Sequence, residues 1–300
     1  MGNTASIDQG VTNGGATGNA ASIQQIDDSR RNRASVVQEG ANKTAEVLQS
    51  STSTDNQINI TQLGLDGTAV VYQTGNSSDN RATVRQTELA GSGNAATIYQ
   101  TDQSYYNRAV VEQAGSSSGA FINQSAQSAN NDALIEQGTG GQNNSASITQ
   151  TYAYAGGSAG ASRVLGSANS ASISQNQTTA STTGNTASIQ QGFDGGVSPV
   201  TGLNVISVGN QAVISQENDL NTANLVQGGE TNKAEVRQTG ESTLQGVLTD
   251  PLLANPAVQY GNNNTLNVTQ SGTLATPNVA NVSQIGNGNT ASVGQTVITP

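Results

Sequence analysis

A seven-residue pattern, Asn-x-Ala-x-Ile/Val-x-Gln, recurs throughout this chain of 300 residues and constrains its fold more than any other feature. All copies end in Gln, and 18 of them carry Ala in third place, the exceptions being Ile58 and Leu266. Repetition of this regularity predicts a stacked repeat architecture. The 20 copies begin at residues 3, 19, 32, 43, 56, 67, 80, 94, 107, 118, 131, 144, 169, 185, 210, 221, 232, 264, 278 and 289.

Three columns of side chains define the pattern. The seventh position holds Gln9, Gln25, Gln38, Gln49, Gln62, Gln73, Gln86, Gln100, Gln113, Gln124, Gln137, Gln150, Gln175, Gln191, Gln216, Gln227, Gln238, Gln270, Gln284 and Gln295. The first position holds Asn3, Asn19, Asn32, Asn56, Asn80, Asn94, Asn107, Asn131, Asn144, Asn169, Asn185, Asn210, Asn221, Asn232, Asn264, Asn278 and Asn289, with Lys43, Gly67 and Ser118 departing. The fifth position holds the candidate core residues Ile7, Ile23, Val36, Val47, Ile60, Val71, Val84, Ile98, Val111, Ile122, Ile135, Ile148, Ile173, Ile189, Ile214, Leu225, Val236, Val268, Val282 and Val293.

The pattern has a period of two, which is the period of a β-strand and not of a helix. The Asn, Ala, Ile/Val and Gln side chains therefore share one face of each strand. Of the charged residues, only Lys43 occupies a patterned position, and a shift of one residue would place Asn42 there instead. We expect the patterned face to be buried and the intervening face, with charges such as Arg81 and Glu136, to be exposed to solvent.

The spacing of the copies predicts how the strands are connected. Between residues 32 and 144 the copies start every 11 to 14 residues, so two copies occupy about 24 residues. We interpret each pair as one rung, with rungs stacked about 4.8 Å apart. The prediction is an all-β, two-sheet parallel β-solenoid with cross-β stacking. It forms a single domain over residues 1–300, with regular rungs in 3–152 and longer or degenerate insertions in 153–300.

Inward-facing amides explain why the columns are so uniform. A buried amide is costly unless it is hydrogen-bonded. In register, each Asn or Gln amide can donate to its equivalent above and accept from the one below, as in amyloid ladders. Both columns are therefore expected to be structural ladders, and we predict no catalytic residue, no cofactor and no metal site.

The second half of the chain is less regular, with steps of 25 and 32 residues between some copies. Three stretches there are long loops or degenerate strands: 161–165, 203–208 and 242–259. Pro251 and Pro256 would weaken a strand in the last of these. We expect a loop at 152–160.

The composition excludes several classes of function. The chain is 33% hydrophobic and 10% charged, which would predict disorder if the apolar residues were not periodic. A net charge of −10 with ten scattered basic residues argues against a nucleic-acid partner. The chain has no Cys and no His, which leaves few groups for general acid–base catalysis. No apolar run is long enough for a transmembrane segment.

Residues 107–115, Asn-Arg-Ala-Val-Val-Glu-Gln-Ala-Gly, followed by residues 118–124, resemble the curlin repeat of bacterial curli, Ser-x5-Gln-x-Gly-x-Gly-Asn-x-Ala-x3-Gln. The similarity extends from Asn3 to Gln295. It implies a secreted, extracellular functional amyloid of the biofilm matrix and of surface adhesion. It also implies a nucleator subunit and an outer-membrane secretion pore as partners. Unlike a curlin, the chain has many more repeats and shows neither a signal segment nor a non-repeat segment before Asn3.

Both end copies of the motif are expected to present unpaired backbone, so that further copies of the chain add head to tail as a homopolymer. The predicted function is therefore a structural fibre subunit and not an enzyme. Two alternatives stay open. One is a monomeric β-solenoid binding or adhesin module of the ice-binding or stalk type, although the variable intervening positions sustain no Thr-x-Thr face. The other is a minor or nucleator curli subunit.

Overall fold

The computed structural model describes residues 2–10, 18–87, 93–125, 128–138, 142–151, 168–176, 184–192, 207–218, 220–245, 257–273 and 278–296. Within these ranges every regular element is a β-strand, and the strands form two parallel sheets. The predicted all-β, two-sheet parallel solenoid is therefore confirmed.

The two sheets, here named sheet A and sheet B, take alternate strands of the chain. Sheet A has 11 strands, in spatial order β1 (Thr4–Asp8), β3 (Arg33–Ala41), β5 (Gln57–Leu65), β7 (Arg81–Thr87), β9 (Arg108–Gln113), β11 (Asp132–Gln137), β13 (Ser170–Asn176), β16 (Gln211–Glu217), β18 (Lys233–Thr239), β21 (Thr265–Ser271) and β24 (Thr290–Thr296). Sheet B follows the order β2 (Ala20–Gln25), β4 (Thr44–Gln49), β6 (Thr68–Gln73), β8 (Ala95–Gln100), β10 (Gly119–Ser125), β12 (Ser145–Thr151), β14 (Thr186–Gln191), β17 (Thr222–Glu230), β19 (Ser242–Gln245) and β22 (Asn278–Asn281). Three short strands complete it: β15 (Ser207–Val208), β20 (Ala257–Tyr260) and β23 (Ser283–Ile285).

Neighbouring strands pair in a register that matches the motif position by position. Between β7 and β9, for example, Val84 is the partner of Val111, and Gln86 is the partner of Gln113. From β1 to β14, consecutive strands belong to opposite sheets, so the chain climbs one level for every two copies of the motif. This is the strand-turn-strand rung that the spacing predicted.

The core lies between the two sheets and consists of the Ala and Ile/Val columns of both. Small Ala side chains beside Ile or Val allow the sheets to pack closely. The alternation of buried and exposed side chains along β7 and β18 confirms which face is inward. One core prediction is wrong: Ile7 is 46% exposed, whereas Val36 above it is 0% exposed. Strand β1 has a neighbour on one side only, and for the same reason Ile23 and Val293 are only partly buried.

A left-handed backbone residue precedes the first position of the sheet A copies and bends the chain between the sheets. Asp and Asn, common here, tolerate this conformation better than most residues, and β-branched side chains such as that of Thr231 are the least favourable there. Residues with positive φ at this position are Arg31, Asp55, Asp79, Tyr106, Asn130, Ala168, Gly209, Thr231, Asn263 and Gly288.

One of the three uncertain stretches, 242–259, contains a divided strand. Its first segment, β19, pairs with the start of β17, where Leu244 is the partner of Ala223. Its second segment, β20, pairs with the end of β17, where Gln259 is the partner of Gln227. One level of sheet B is thus built from two segments.

Of the stretch 203–208, Ser207–Val208 forms β15, which pairs with the end of β17. The predicted loop at 152–160, the stretch 161–165 and the two prolines, Pro251 and Pro256, lie outside the described residues.

Candidate assembly surface

The Gln column forms two continuous hydrogen-bonded ladders, one in each sheet. In sheet A, Nε2 of Gln62 donates to Oε1 of Gln86 at 2.8 Å, and Nε2 of Gln86 donates to Oε1 of Gln113 at 2.9 Å. All predicted Gln residues lie in these ladders, and each except the last members, Gln284 and Gln295, donates to the Gln of the next level along the chain. The predicted Gln ladder is therefore present, and all its amide-to-amide hydrogen bonds point the same way along the stack.

From Gln25 to Gln295, each ladder Gln also connects the two sheets. Nε2 of Gln86, in sheet A, donates a further bond to the backbone oxygen of Thr68 in sheet B at 2.9 Å. Nε2 of Gln100, in sheet B, donates to the backbone oxygen of Arg81 in sheet A at 3.1 Å. One primary amide thus satisfies a ladder bond and a cross-sheet bond, which no shorter or apolar side chain can do. This double use explains why the seventh position is invariant.

The Asn ladder differs from the one predicted, because its recurring bond joins a side-chain oxygen to a backbone N–H; a bond between two Asn amides is present from Asn221 to Asn185, at 3.2 Å. Oδ1 of Asn56 accepts from the backbone N–H of Asn80 at 2.9 Å. Its Nδ2 donates to the hydroxyl oxygen of Ser77 at 3.0 Å and to the Ser77 backbone oxygen at 3.1 Å. The Asn side chain therefore fixes the backbone of the neighbouring level at the point where the strand begins.

A buried Ser column in the turns was missed by the sequence analysis. Ser29, Ser53, Ser77, Ser104 and Ser128 accept the Nδ2 bonds of the Asn one level below. Each lies three residues before an Asn of sheet A, so the spacing Ser-x-x-Asn was available as a signal. Ser53 to Ser128 in this column are 0% exposed, which makes them part of the interior.

The exceptions in the Asn column all belong to sheet B. In sheet A, all first positions are Asn, whereas Lys43, Gly67 and Ser118 lie in sheet B. The suggested shift to Asn42 is wrong, since the backbone N–H of Lys43 donates to Oδ1 of Asn19 at 3.0 Å. Lys43 itself is 1% exposed. The next level carries Gly67, where a Cβ atom would lie 2.8 Å from Oε1 of Gln86, so a side chain there would crowd the Gln ladder.

Gln259 is a further ladder member that the motif search did not identify. Its Nε2 donates to Oε1 of Gln284 at 2.7 Å, and its Oε1 accepts from Gln227 at 2.8 Å. In the divided strand, Leu244 occupies the Ala position and Ala257 occupies the Ile/Val position. The exchange keeps one large and one small side chain at this level of the core.

The outer surface of sheet B carries a row of aromatic side chains. The rings of Tyr72 and Tyr99 are stacked with centroids 5.4 Å apart, and Phe121 meets Tyr99 edge to face at 5.7 Å. The Tyr72 hydroxyl donates to the Glu46 carboxylate at 2.7 Å. That hydrogen bond, with partial burial, raises the pKa of Tyr72 to about 12. These three aromatic residues occupy outward positions of the motif, and Tyr105 and Tyr106 lie between strands.

The end strands leave inward-facing groups uncovered. All side chains of β1 are exposed, and those of β24 alternate between exposed and half-buried. The ladder begins at Gln9, whose Nε2 donates to Gln38, and it ends at Gln295, whose Oε1 accepts from Gln270. The two ends therefore offer opposite groups: carboxamide oxygen at β1 and N–H at β24.

Comparison of this chain with protein-family models and with curated protein sequences finds no match. In the part of the chain that the structure describes, no helix is long and apolar enough to cross a membrane. The same residues contain no cluster of three or more acidic, His or Cys side chains that could hold a metal ion.

Proposed function

We propose that this chain is the structural subunit of an extracellular, curli-like amyloid fibre that grows by head-to-tail addition of copies. The observation that carries the proposal is the opposite polarity of the Gln ladder at β1 and β24. Strand β1 of one copy continues sheet A when it pairs with β24 of another. Such a heterologous contact does not close, and it builds a filament.

Two hydrogen bonds and one apolar contact support this junction. A free N–H of Gln295 can donate to Oε1 of Gln9, because Gln295 donates to Val279 with one of its two hydrogens. Oδ1 of Asn289 can accept the backbone N–H of Asn3, as Oδ1 of Asn264 accepts that of Asn289. The half-exposed Ile7 would be covered by Val293. Each of these interactions is of a kind that neighbouring levels already make inside the stack.

The location and role of the fibre follow the resemblance to curlin repeats. We infer that the fibre lies at the cell surface and contributes to the biofilm matrix and to adhesion. A nucleator subunit and an outer-membrane pore would serve its assembly and export. In this role the product of the chain is the fibre, and no residue acts as a catalyst.

Growth of the wild-type protein from denaturant tests the proposal. We expect filaments by electron microscopy and a meridional reflection at about 4.7–4.8 Å by fibre diffraction. Ile7→Lys places a charge on a side chain that is 46% exposed in one copy but covered at the junction. The variant should fold, as judged by circular dichroism, and its elongation rate should fall at least about tenfold, the equivalent of 1.4 kcal/mol.

Ser6→Lys is the matched control, because its side chain is on the outer face of the same strand. This control should elongate like the wild type. A wild-type protein that stays monomeric would contradict the proposal and favour the monomeric binding module. Equal elongation by Ile7→Lys and Ser6→Lys would show that the β1 end is not the junction.

A further inference from the structure

The two outer faces of the solenoid differ sharply in charge. In sheet A, the charged residues at the outward motif positions are Asp8, Arg33, Arg81, Arg85, Arg108, Glu112, Asp132, Glu136, Lys233, Glu235 and Arg237. In the described strands of sheet B, Glu46 is the single charged residue at an outward motif position. The division becomes visible when the copies, which alternate along the chain, are assigned to their sheets.

The charges of sheet A prevent that face from packing against another sheet. Burying them would remove many ions from water, and an ion without a buried partner costs several kcal/mol. Some already pair along the stack, such as Arg108 with Asp132 at 2.8 Å, but both side chains stay more than half exposed. Charges on a sheet face are a common means by which proteins avoid sheet association.

The outer face of sheet B has the opposite character. Half-buried Leu48 and Val70 lie beside the aromatic row of Tyr72, Tyr99 and Phe121. Most other outward positions are Ser, Thr, Ala, Asn or Gln. Its single charge, Glu46, already accepts a hydrogen bond from Tyr72. The free-energy cost of removing this face from water is therefore small.

The area of the sheet B face is sufficient for a stable interface. Strands of six residues at about 3.3 Å per residue, stacked over ten levels at about 4.8 Å, give about 900 Å². A standard interface buries about 800 Å² per partner. With a net charge of −10, copies of the chain repel one another overall, so contact is favoured through the face with the fewest charges.

We infer that the outer face of sheet B is a lateral interface, on which a second copy of this chain packs face to face. The pairing is a sheet-on-sheet contact about 10 Å thick, of the kind found in β-sandwiches. The aromatic row supplies the large apolar side chains at its centre. Lateral pairing is independent of head-to-tail growth, and it gives each filament two stacks instead of one.

The chain offers a matched pair of residues to test the interface. Thr97 in β8 and Thr83 in β7 are both half-buried, both occupy the fourth motif position, and both belong to the same level. Thr97 is on the outer face of sheet B, between Val70 and Phe121. Thr83 is on the outer face of sheet A, between Asn59 and Val110.

Sedimentation equilibrium in the Ile7→Lys background measures lateral pairing while head-to-tail growth is weakened. We expect a dimer of twice 30.3 kDa in this background, and a dissociation constant raised about tenfold or more by Thr97→Lys. Val70→Lys, also on sheet B, should act in the same way. Thr83→Lys should leave the dimer unchanged, and circular dichroism verifies that every variant folds.

Two results would overturn the inference. A background protein that is monomeric at all concentrations would show that sheet B does not bind a second copy. Equal weakening by Thr97→Lys and Thr83→Lys would show that the contact is not specific to sheet B. If the wild type forms no filaments, its own sedimentation gives the same answer, so lateral pairing and head-to-tail growth can fail separately.

Discussion

Nε2 of Gln150 donates to Oε1 of Gln191 at 2.9 Å, although 41 residues separate the two along the chain. The equivalent bond between Gln49 and Gln73 is also 2.9 Å long and spans 24 residues. The geometry of the ladder is thus independent of the length of chain that connects its levels. Register is held by the strands and their amides, and insertions between strands leave it unchanged.

Shortening one connection tests this independence. Residues 151–168 connect Gln150 to Asn169, whereas six residues, 125–130, connect Gln124 to Asn131. Replacing 151–168 with the sequence of 125–130 should preserve the stack. The free energy of unfolding, measured by urea denaturation in the Ile7→Lys background, should rise by about 1 kcal/mol because a shorter loop is less costly to close. A fall of similar size would mean that residues 151–168 contribute contacts to the stack.

Removing one ladder amide should destabilise the protein strongly. Gln137 accepts from Gln113 at 2.9 Å, and it donates to Gln175 and to the Gly119 backbone oxygen, each at 3.0 Å. Gln137→Ala leaves these buried groups without a partner, and we expect a loss of about 2–4 kcal/mol in the free energy of unfolding.

The neighbouring residue provides the control for this change. Glu136 is on the exposed face of the same strand, and Glu136→Ala should change the free energy of unfolding by no more than about 0.5 kcal/mol. Urea denaturation of both variants gives the comparison. Similar losses for the two would contradict the assignment of inner and outer faces.

Leu220, the residue before Asn221 of sheet B, is an unfavourable residue in a left-handed conformation, with φ of 57°; Asn42 and Asp66 hold the same place with φ of 57°. Leu220→Asn should raise the free energy of unfolding by about 0.5–1 kcal/mol, because Asn tolerates this conformation. Val213→Asn is the control, since Val213 is similarly exposed but lies in a strand. There Asn should lower stability, since it is depleted in strands. Thermal unfolding monitored by circular dichroism distinguishes the opposite signs.

Tyr72 should titrate later than an ordinary tyrosine. Its pKa is raised from 10.0 to about 12, first by the hydrogen bond to Glu46. Because the folded-state value is the higher one, the stabilisation is fully present below pH 10 and is lost as the pH rises towards 12. Near-ultraviolet absorbance, with Tyr72→Phe subtracted, should show this late titration, and Glu46→Ala should lower the pKa. Glu136→Ala should leave it unchanged, and a Tyr72 titration near pH 10 in the wild type would contradict the assignment.

The fold and the Gln ladder could be predicted because the motif carries their physical cause. A buried amide needs an identical partner at each level, so the column itself reveals the stacking. The role of Asn56 could not be derived in this way, because its partner is a backbone N–H whose position depends on the turn. Gln259 was missed because its strand is divided between residues 245 and 257, so no seven consecutive residues show the pattern.

The division of charge between the two sheets could have been predicted, because the predicted rungs already assign alternate copies of the motif to opposite sheets. Arg81 and Tyr99 both occupy intervening positions of the motif, and the sequence assigns both to the outside. Only the alternation of strands between sheets places Arg81 and its charged equivalents on one face and the aromatic row on the other.

The common direction of the Gln ladders gives the solenoid an electrical axis. Each carboxamide dipole points the same way as the next, as peptide dipoles do along an α-helix, and aligned hydrogen bonds polarise one another. In the row of sheet A, the partial charge is negative at the Gln9 end and positive at the Gln295 end. A filament that preserves this order has a permanent dipole along its length, and an applied electric field would align such filaments with their β24 ends towards the cathode.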